Sequence, residues 1–146
     1  MDLTSPLAGR RALIAEDQSI TALALNRSLV RAGILVVAAV DSGTEAVKAA
    51  IRERPDIILM DVDLPEMNGL EAARAIKSSL DTCIIFCTAY DAEYLDGAGA
   101  PAGCGSVFKP VFSETLIPMV EDFYAAHAAR SNRQDARTFP PAERTA

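Results

Sequence analysis

Short apolar runs alternating with longer amphipathic stretches constrain this chain more than any other feature of its sequence. The runs are Ala12–Ala15, Leu35–Val40, Ile57–Met60, Ile84 through Cys87 to Thr88, and Ser106–Phe108. Runs of this length bounded by turn residues suit parallel strands covered on both faces. Between them, Ser19 to Ala32 puts Ala22, Leu25, Leu29 and Ala32 on one helical face, and Gly33 is placed to end that helix in the left-handed conformation. Ser42 reads as the cap of a second helix with a buried stripe of Val47, Ala50 and Ile51, closed by Pro55. The turn-rich segment Pro65–Gly69 leads into a third helix marked by Leu70, Ala73 and Ile76. Asp91 to Leu95 is long enough only for a short fourth helix. Gly97, Gly99, Pro101, Gly103 and Gly105 then make poor material for regular structure, and a mobile connection is expected there. Leu116, Val120, Phe123 and His127 line a last helix, in which Pro118 predicts either a kink or a late start.

Five such units imply an α/β fold: a parallel sheet with right-handed crossovers, helices on both faces and function at the carboxyl ends of the strands. The 146 residues suffice for one domain. Residues 11–129 carry the pattern, 1–10 read as an N-terminal extension, and 130–146, polar and holding Pro140-Pro141, read as a disordered tail. No effector domain is expected to follow. A net charge of −6 opposes direct binding to nucleic acid. The longest uncharged apolar stretch falls far short of the roughly 20 residues that span a bilayer. Cys83, Cys87 and Cys104 form no C-x-x-C pair and no secretory signal precedes them, so reduced thiols and a cytoplasmic location are expected. Cys83 and Cys87 read as small buried hydrophobes, Met60 and Met67 as core and loop filler.

Where the strands end, chemistry-bearing residues collect. Glu16 and Asp17 follow the first strand, Asp61 and Asp63 the third, Thr88 ends the fourth and Lys109 follows the fifth. Carboxylates gathered on one edge repel unless a cation sits among them. Mg2+ takes about six oxygens, keeps several waters and so needs only two or three protein ligands, which Asp17 and Asp61 can begin to supply. A carboxylate can attack phosphorus to give an aspartyl phosphate. A hydroxyl at Thr88 and an ammonium at Lys109 are the donors that would hold the remaining phosphoryl oxygens.

These pieces, LIAED, LMDVDLPEMNGLE, FCTAY and FKP, resemble the response-regulator receiver family of two-component systems over about Arg11 to Ala129. The resemblance implies a three-layer αβα, flavodoxin-like (βα)5 fold with the sheet in order 2-1-3-4-5. It implies Asp61 as phosphoacceptor and Mg2+ bound by Asp17, Asp61 and the backbone carbonyl of Asp63, with Glu16 supporting the ion through water. Thr88 and Lys109 would contact the phosphoryl group, and Lys109-Pro110 would be a cis peptide. The implied partners are a sensor histidine kinase or phosphotransfer protein and, downstream, another protein. Such a domain is a phosphoacceptor switch rather than an enzyme, with at most self-catalysed phosphorylation and dephosphorylation. Ser106 departs from the common pattern, which has there an aromatic residue that swings inward on activation. With Tyr90 two beyond Thr88, FCTAY resembles in part the single-domain subgroup with an F-A-T-G-x-Y-like motif.

Two other classes share features. D-x-D at a strand end also marks haloacid-dehalogenase-like phosphohydrolases, but there it follows the first strand and needs a second acidic pair downstream. A pseudo-receiver would bind partners without phosphorylation, although here every expected phosphorylation residue is present. His127 reads as a packing or surface residue rather than a relay histidine, and the glycine-rich stretch lacks the strand and helix of a phosphate-binding loop.

Overall fold

The computed structural model describes residues 5–138. Its elements are β1 (Arg11–Ala15), α1 (Ser19–Arg31), β2 (Leu35–Val40), α2 (Gly43–Glu53), β3 (Ile57–Met60), α3 (Gly69–Lys77), β4 (Cys83–Thr88), α4 (Ala92–Gly97), β5 (Gly105–Phe108) and α5 (Ser113–Thr138). The strands pair in parallel in the order β2-β1-β3-β4-β5, the expected flavodoxin-like arrangement. β3 and β4, in the middle, are buried along their whole length, which is why they read as unbroken apolar runs.

Alternation along the strands splits the core in two. Leu13, Ala15, Ile58, Met60, Ile84 and Phe86 face α2, α3 and Leu95 of α4. Ala12, Ile14, Ile57, Leu59, Cys83, Ile85, Cys87 and Val107 face α1 and α5. Each fully buried aliphatic or aromatic side chain contributes about 1.5–3 kcal/mol. The two thiols in the second layer act as small hydrophobes, and burial pushes both up to about 12, far from thiolate chemistry.

Local signals act as read at several ends. Gly33 has φ +84° after α1, and the Ser42 side chain accepts from the Glu45 amide at the start of α2. Asn68 and Glu71 form a reciprocal capping box on α3.

Three expectations change, and one is narrowed to a single alternative. The buried stripe of α2 is Ala46, Ala49 and Ala50, while Val47 is half-buried and Ile51 exposed. The start of α2 lies close against the β3–α3 loop, since a Cβ on Gly43 would lie 1.7 Å from the Met67 carbonyl oxygen, and the face turned inward from there carries alanine at its fully buried positions. α5 starts at Ser113, ahead of Pro118, so no late start occurs. The helix also runs on through Arg130 to Thr138, where a disordered tail was expected; residues 139–146 lie outside the described residues. Extending an existing helix needs no new nucleus, and Ser131 bonded to Asp81 ties that segment to the α3–β4 loop. The extension before β1 belongs partly to the core, since Leu7 is fully buried and the Ser5 hydroxyl donates to Glu121 on α5 at 3.0 Å. Residues 1–4 lie outside the described residues.

The glycine-rich connection is fastened at both ends. Arg74 donates to the Gly99 carbonyl at 3.0 Å and Arg130 to the Gly103 carbonyl at 3.0 Å. The fourth helix is six residues long and begins with the Asp91 side chain accepting from the Tyr94 amide at 2.8 Å.

Candidate functional site

Strand register builds the site. Ala15 pairs with Met60, so the next residues, Glu16 and Asp61, leave adjacent strands side by side. The Glu16 amide donates to the Val40 carbonyl and the Asp61 amide to the Ala15 carbonyl, each at 3.0 Å, so both backbones are fixed before their side chains diverge. Across β4 and β5, Thr88 pairs with Phe108, and the Lys109 amide donates to the Thr88 carbonyl at 2.8 Å. Lys109-Pro110 is cis, as the resemblance implied.

The close packing below Asp61 depends on a glycine. A Cβ on Gly69 would stand 2.1 Å from the Asp61 carbonyl oxygen, and the Gly69 amide donates to Val62 at 2.7 Å. The start of α3 is thereby pressed against the Asp61 loop.

Carboxylate oxygens of Glu16, Asp17 and Asp61 come within 4.8 Å of one another. Glu16, Asp61 and Thr88 are buried at 3%, 6% and 1% exposure, while Asp17 is exposed. The Lys109 ammonium lies between two of the acids, 2.6 Å from Glu16 Oε1 and 3.1 Å from Asp61 Oδ2. Burial raises the Glu16 carboxyl, Asp61 adds to that, and the Lys109 hydrogen bond and charge work against both. For Lys109, burial acts to lower the pKa, but the hydrogen bonds and charges of Glu16 and Asp61 outweigh it and hold the ammonium protonated.

Asp63 stands apart from the other acids. Its amide donates to Asp61 Oδ1 at 3.4 Å, but its exposed side chain accepts from the Tyr90 hydroxyl at 3.2 Å. That bond was not expected from the sequence, in which Asp63 was one of the acids gathered at the strand ends and, by the resemblance, a backbone carbonyl ligand. The negative charge of Asp63 raises the Tyr90 phenol. The Tyr90 amide donates to Thr88 Oγ1 at 3.3 Å. Ser106 is half-buried on β5, paired with Phe86, and makes no side-chain hydrogen bond among the described residues. His127 lies away from this edge, with Nε2 3.3 Å from Asp81 Oδ1.

A cluster at the strand termini, with an ammonium bridging two buried acids and a buried hydroxyl at the end of the neighbouring strand, can bind a cation and an anionic oxygen cluster together. No described helix is long and apolar enough to cross a membrane.

Comparison with known proteins agrees with this architecture. The model of the response regulator receiver domain matches residues 12–121. Chemotaxis protein CheY of Thermotoga maritima is 37% identical over 110 residues, 75% of this chain and 92% of that protein. Transcriptional regulatory protein PdtaR of Mycobacterium tuberculosis is 34% identical over 113 residues, 77% of this chain but 55% of that protein, so the chain spans about half the length of this relative. Among solved structures, the receiver domain of sensor histidine kinase PA1611 from Pseudomonas aeruginosa, with magnesium coordinated in its active-site cleft, superposes with a TM-score of 0.72 at 28% identity. The match covers 81% of this chain and 99% of that one. The chain belongs to the response regulator receiver domain family.

Proposed function

We propose that the chain is a phosphoacceptor switch: Asp61 takes a phosphoryl group from the phosphohistidine of a sensor kinase or phosphotransfer protein, and the altered surface is read by a partner protein. The observation that carries this reading is the convergence of Asp61 with Glu16, Asp17 and Lys109 beside a buried Thr88. An oxygen of Asp61 forms the bond to phosphorus as the P–N bond of the donor breaks and its electron pair stays on the imidazole. Lys109, held protonated, meets the new charge without a proton transfer. Thr88 has an O–H to donate to a phosphoryl oxygen.

The acids fit a hard divalent ion: the donor set is oxygen only, and of its three carboxylates the Lys109 ammonium bonds two, Glu16 and Asp61. Glu16, Asp17 and Asp61, with the Asp63 carbonyl, would hold Mg2+, as the magnesium in the PA1611 domain supports. When bound, the ion offsets the charge that builds on the transferring oxygens.

Phosphotransfer from radiolabelled kinases of the host tests this reading. The chain is expected to take label in the presence of Mg2+, and Asp61→Asn to take none. Label on Asp61→Asn would overturn the assignment, and turnover of simple phosphate esters would favour a hydrolase.

A further inference from the structure

Every strand of the sheet runs the same way and the helices return against it, so the helices begin at one edge of the molecule and end at the other. The charge preference of a single helix, acids in the first turn and cations in the last, therefore adds up over the fold instead of cancelling. Glu45, Glu71 and Glu93 stand in first turns at the carboxyl edge, which carries Asp61, and Arg31 and Arg52 stand in last turns at the amino edge. Loop residues carry the separation further. Asp41 and Glu66 are exposed at the carboxyl edge, Arg10 and Arg54 at the amino edge.

These charges are largely uncompensated where they stand. At the carboxyl edge Lys109 is the one cation among the described residues, and Glu16 and Asp61 already hold it. At the amino edge Arg10, Arg31 and Arg54 pair with no carboxylate among the described residues. Each edge also turns apolar side chains to solvent: Val30, Leu35 and Ile51 at the amino edge, Ile20, Phe108 and Phe112 at the carboxyl edge. Protein interfaces combine such apolar contacts with arginine, whose planar fork matches a carboxylate. A two-fold contact through either edge would set like charges against each other. A contact between unlike edges sets arginine against acid and apolar against apolar.

We propose that copies of this chain associate head to tail, the arginine-rich amino edge of one covering the acidic carboxyl edge of the next. Both complementary surfaces belong to one chain and are present in equal number, which favours a second copy over a foreign acidic protein as the occupant. A contact of this kind leaves a free edge at each end, so the assembly lengthens with concentration instead of closing as a dimer. The association stands apart from the phosphoacceptor reading; taken together with it, a covered carboxyl edge keeps Asp61 from its donor.

Sedimentation velocity of the full chain over a range of concentrations tests the contact. At about 0.15 M ionic strength the mean mass is expected to rise with concentration and pass that of a dimer. At about 1 M, where the screening length falls from about 8 Å to about 3 Å, the rise should be much weaker. Arg31→Gln with Arg54→Gln, and separately Asp41→Asn with Glu66→Gln, should each weaken association about tenfold. All four side chains are exposed, so both variants should melt as the unchanged chain does. Mixed in equal amounts, the two variants should associate again and stop at the dimer, because each keeps the edge that the other has lost. A chain that stays monomeric at every concentration would overturn the proposal and leave the arginine edge to a foreign acidic partner. Association indifferent to salt and to both variants would overturn it by assigning the contact to the apolar residues alone. A mixture no larger than the separate variants would rule out the head-to-tail order. None of these outcomes bears on phosphotransfer to Asp61.

Discussion

Lys109 carries the electrostatics of the site, because among the described residues it is the one ammonium bonded to both buried acids. Replacing it by methionine keeps the length of the side chain and leaves Glu16 and Asp61 facing each other with no cation between them. Breaking a buried pair from one side costs about 3–5 kcal/mol, and the partial exposure of this lysine reduces that to about 1–3 kcal/mol. Urea midpoints for Lys109→Met should fall by that amount and recover in part when Mg2+ is added; a midpoint equal to that of the unchanged chain would show that the acids are not strained. At the opposite edge, His127 is held below the ordinary histidine value of 6.5, first by burial and then by Lys77 and Arg130, with Asp81 opposing. The unfolded chain therefore binds a proton near pH 6.5 that the folded chain refuses. Stability should be unaffected by this group above that pH and should decline as pH falls below it. Comparing urea midpoints between about pH 5 and 8 for the unchanged chain and His127→Gln isolates this contribution. The variant should show the smaller decline on the acid side.

At the scale of elements, two glycines let helices reach the Asp61 loop. Gly69→Ala would drive a methyl group to 2.1 Å from the Asp61 carbonyl, a backbone atom that cannot rotate aside. A loss of about 2–4 kcal/mol in chemical unfolding is expected, with reduced phosphoryl acceptance because α3 is pushed off the loop that carries Asp61. Stability within error of the unchanged chain would mean that α3 can shift at little cost. The same closeness explains what the sequence did and did not disclose. Strand ends were legible because period and burial act locally, and Ala15 beside Met60 delivers Glu16 and Asp61 together without knowledge of any loop. The inner face of α2 was misjudged because hydrophobicity favours Ile51 over Ala46, whereas a helix pressed in at Gly43 turns its alanines to the core. The helical course of Arg130–Thr138 was hidden by polar composition, since Arg130 and Ser131 are held by the Gly103 carbonyl and Asp81, residues distant in the chain. The bond from Tyr90 to Asp63 joins two loops 27 residues apart, and no spacing rule reports on loops.

Across the whole molecule, the acidic residues are in excess by six charges, and three carboxylates are concentrated at one edge of the sheet. Folding brings Asp61 against Glu16 and Asp17, whereas the unfolded chain keeps it apart from them, so the native state carries a local repulsion that Lys109 relieves in part. A divalent ion that binds the assembled cluster and not its scattered parts must stabilise the fold by mass action, about 1.4 kcal/mol at a concentration ten times its dissociation constant. Melting temperatures should therefore rise with Mg2+, and monovalent salt at equal ionic strength should reproduce only the screened part of the effect. Asp17→Asn is the informative variant, because Asp17 is exposed and contributes to the cluster without burial of its own. Its melting temperature without Mg2+ should equal or exceed that of the unchanged chain, and its response to the ion should be much weaker. If the variant and the unchanged chain gained equally from Mg2+, the ion would be acting on the diffuse surface charge, and Glu16, Asp17 and Asp61 would not be its site.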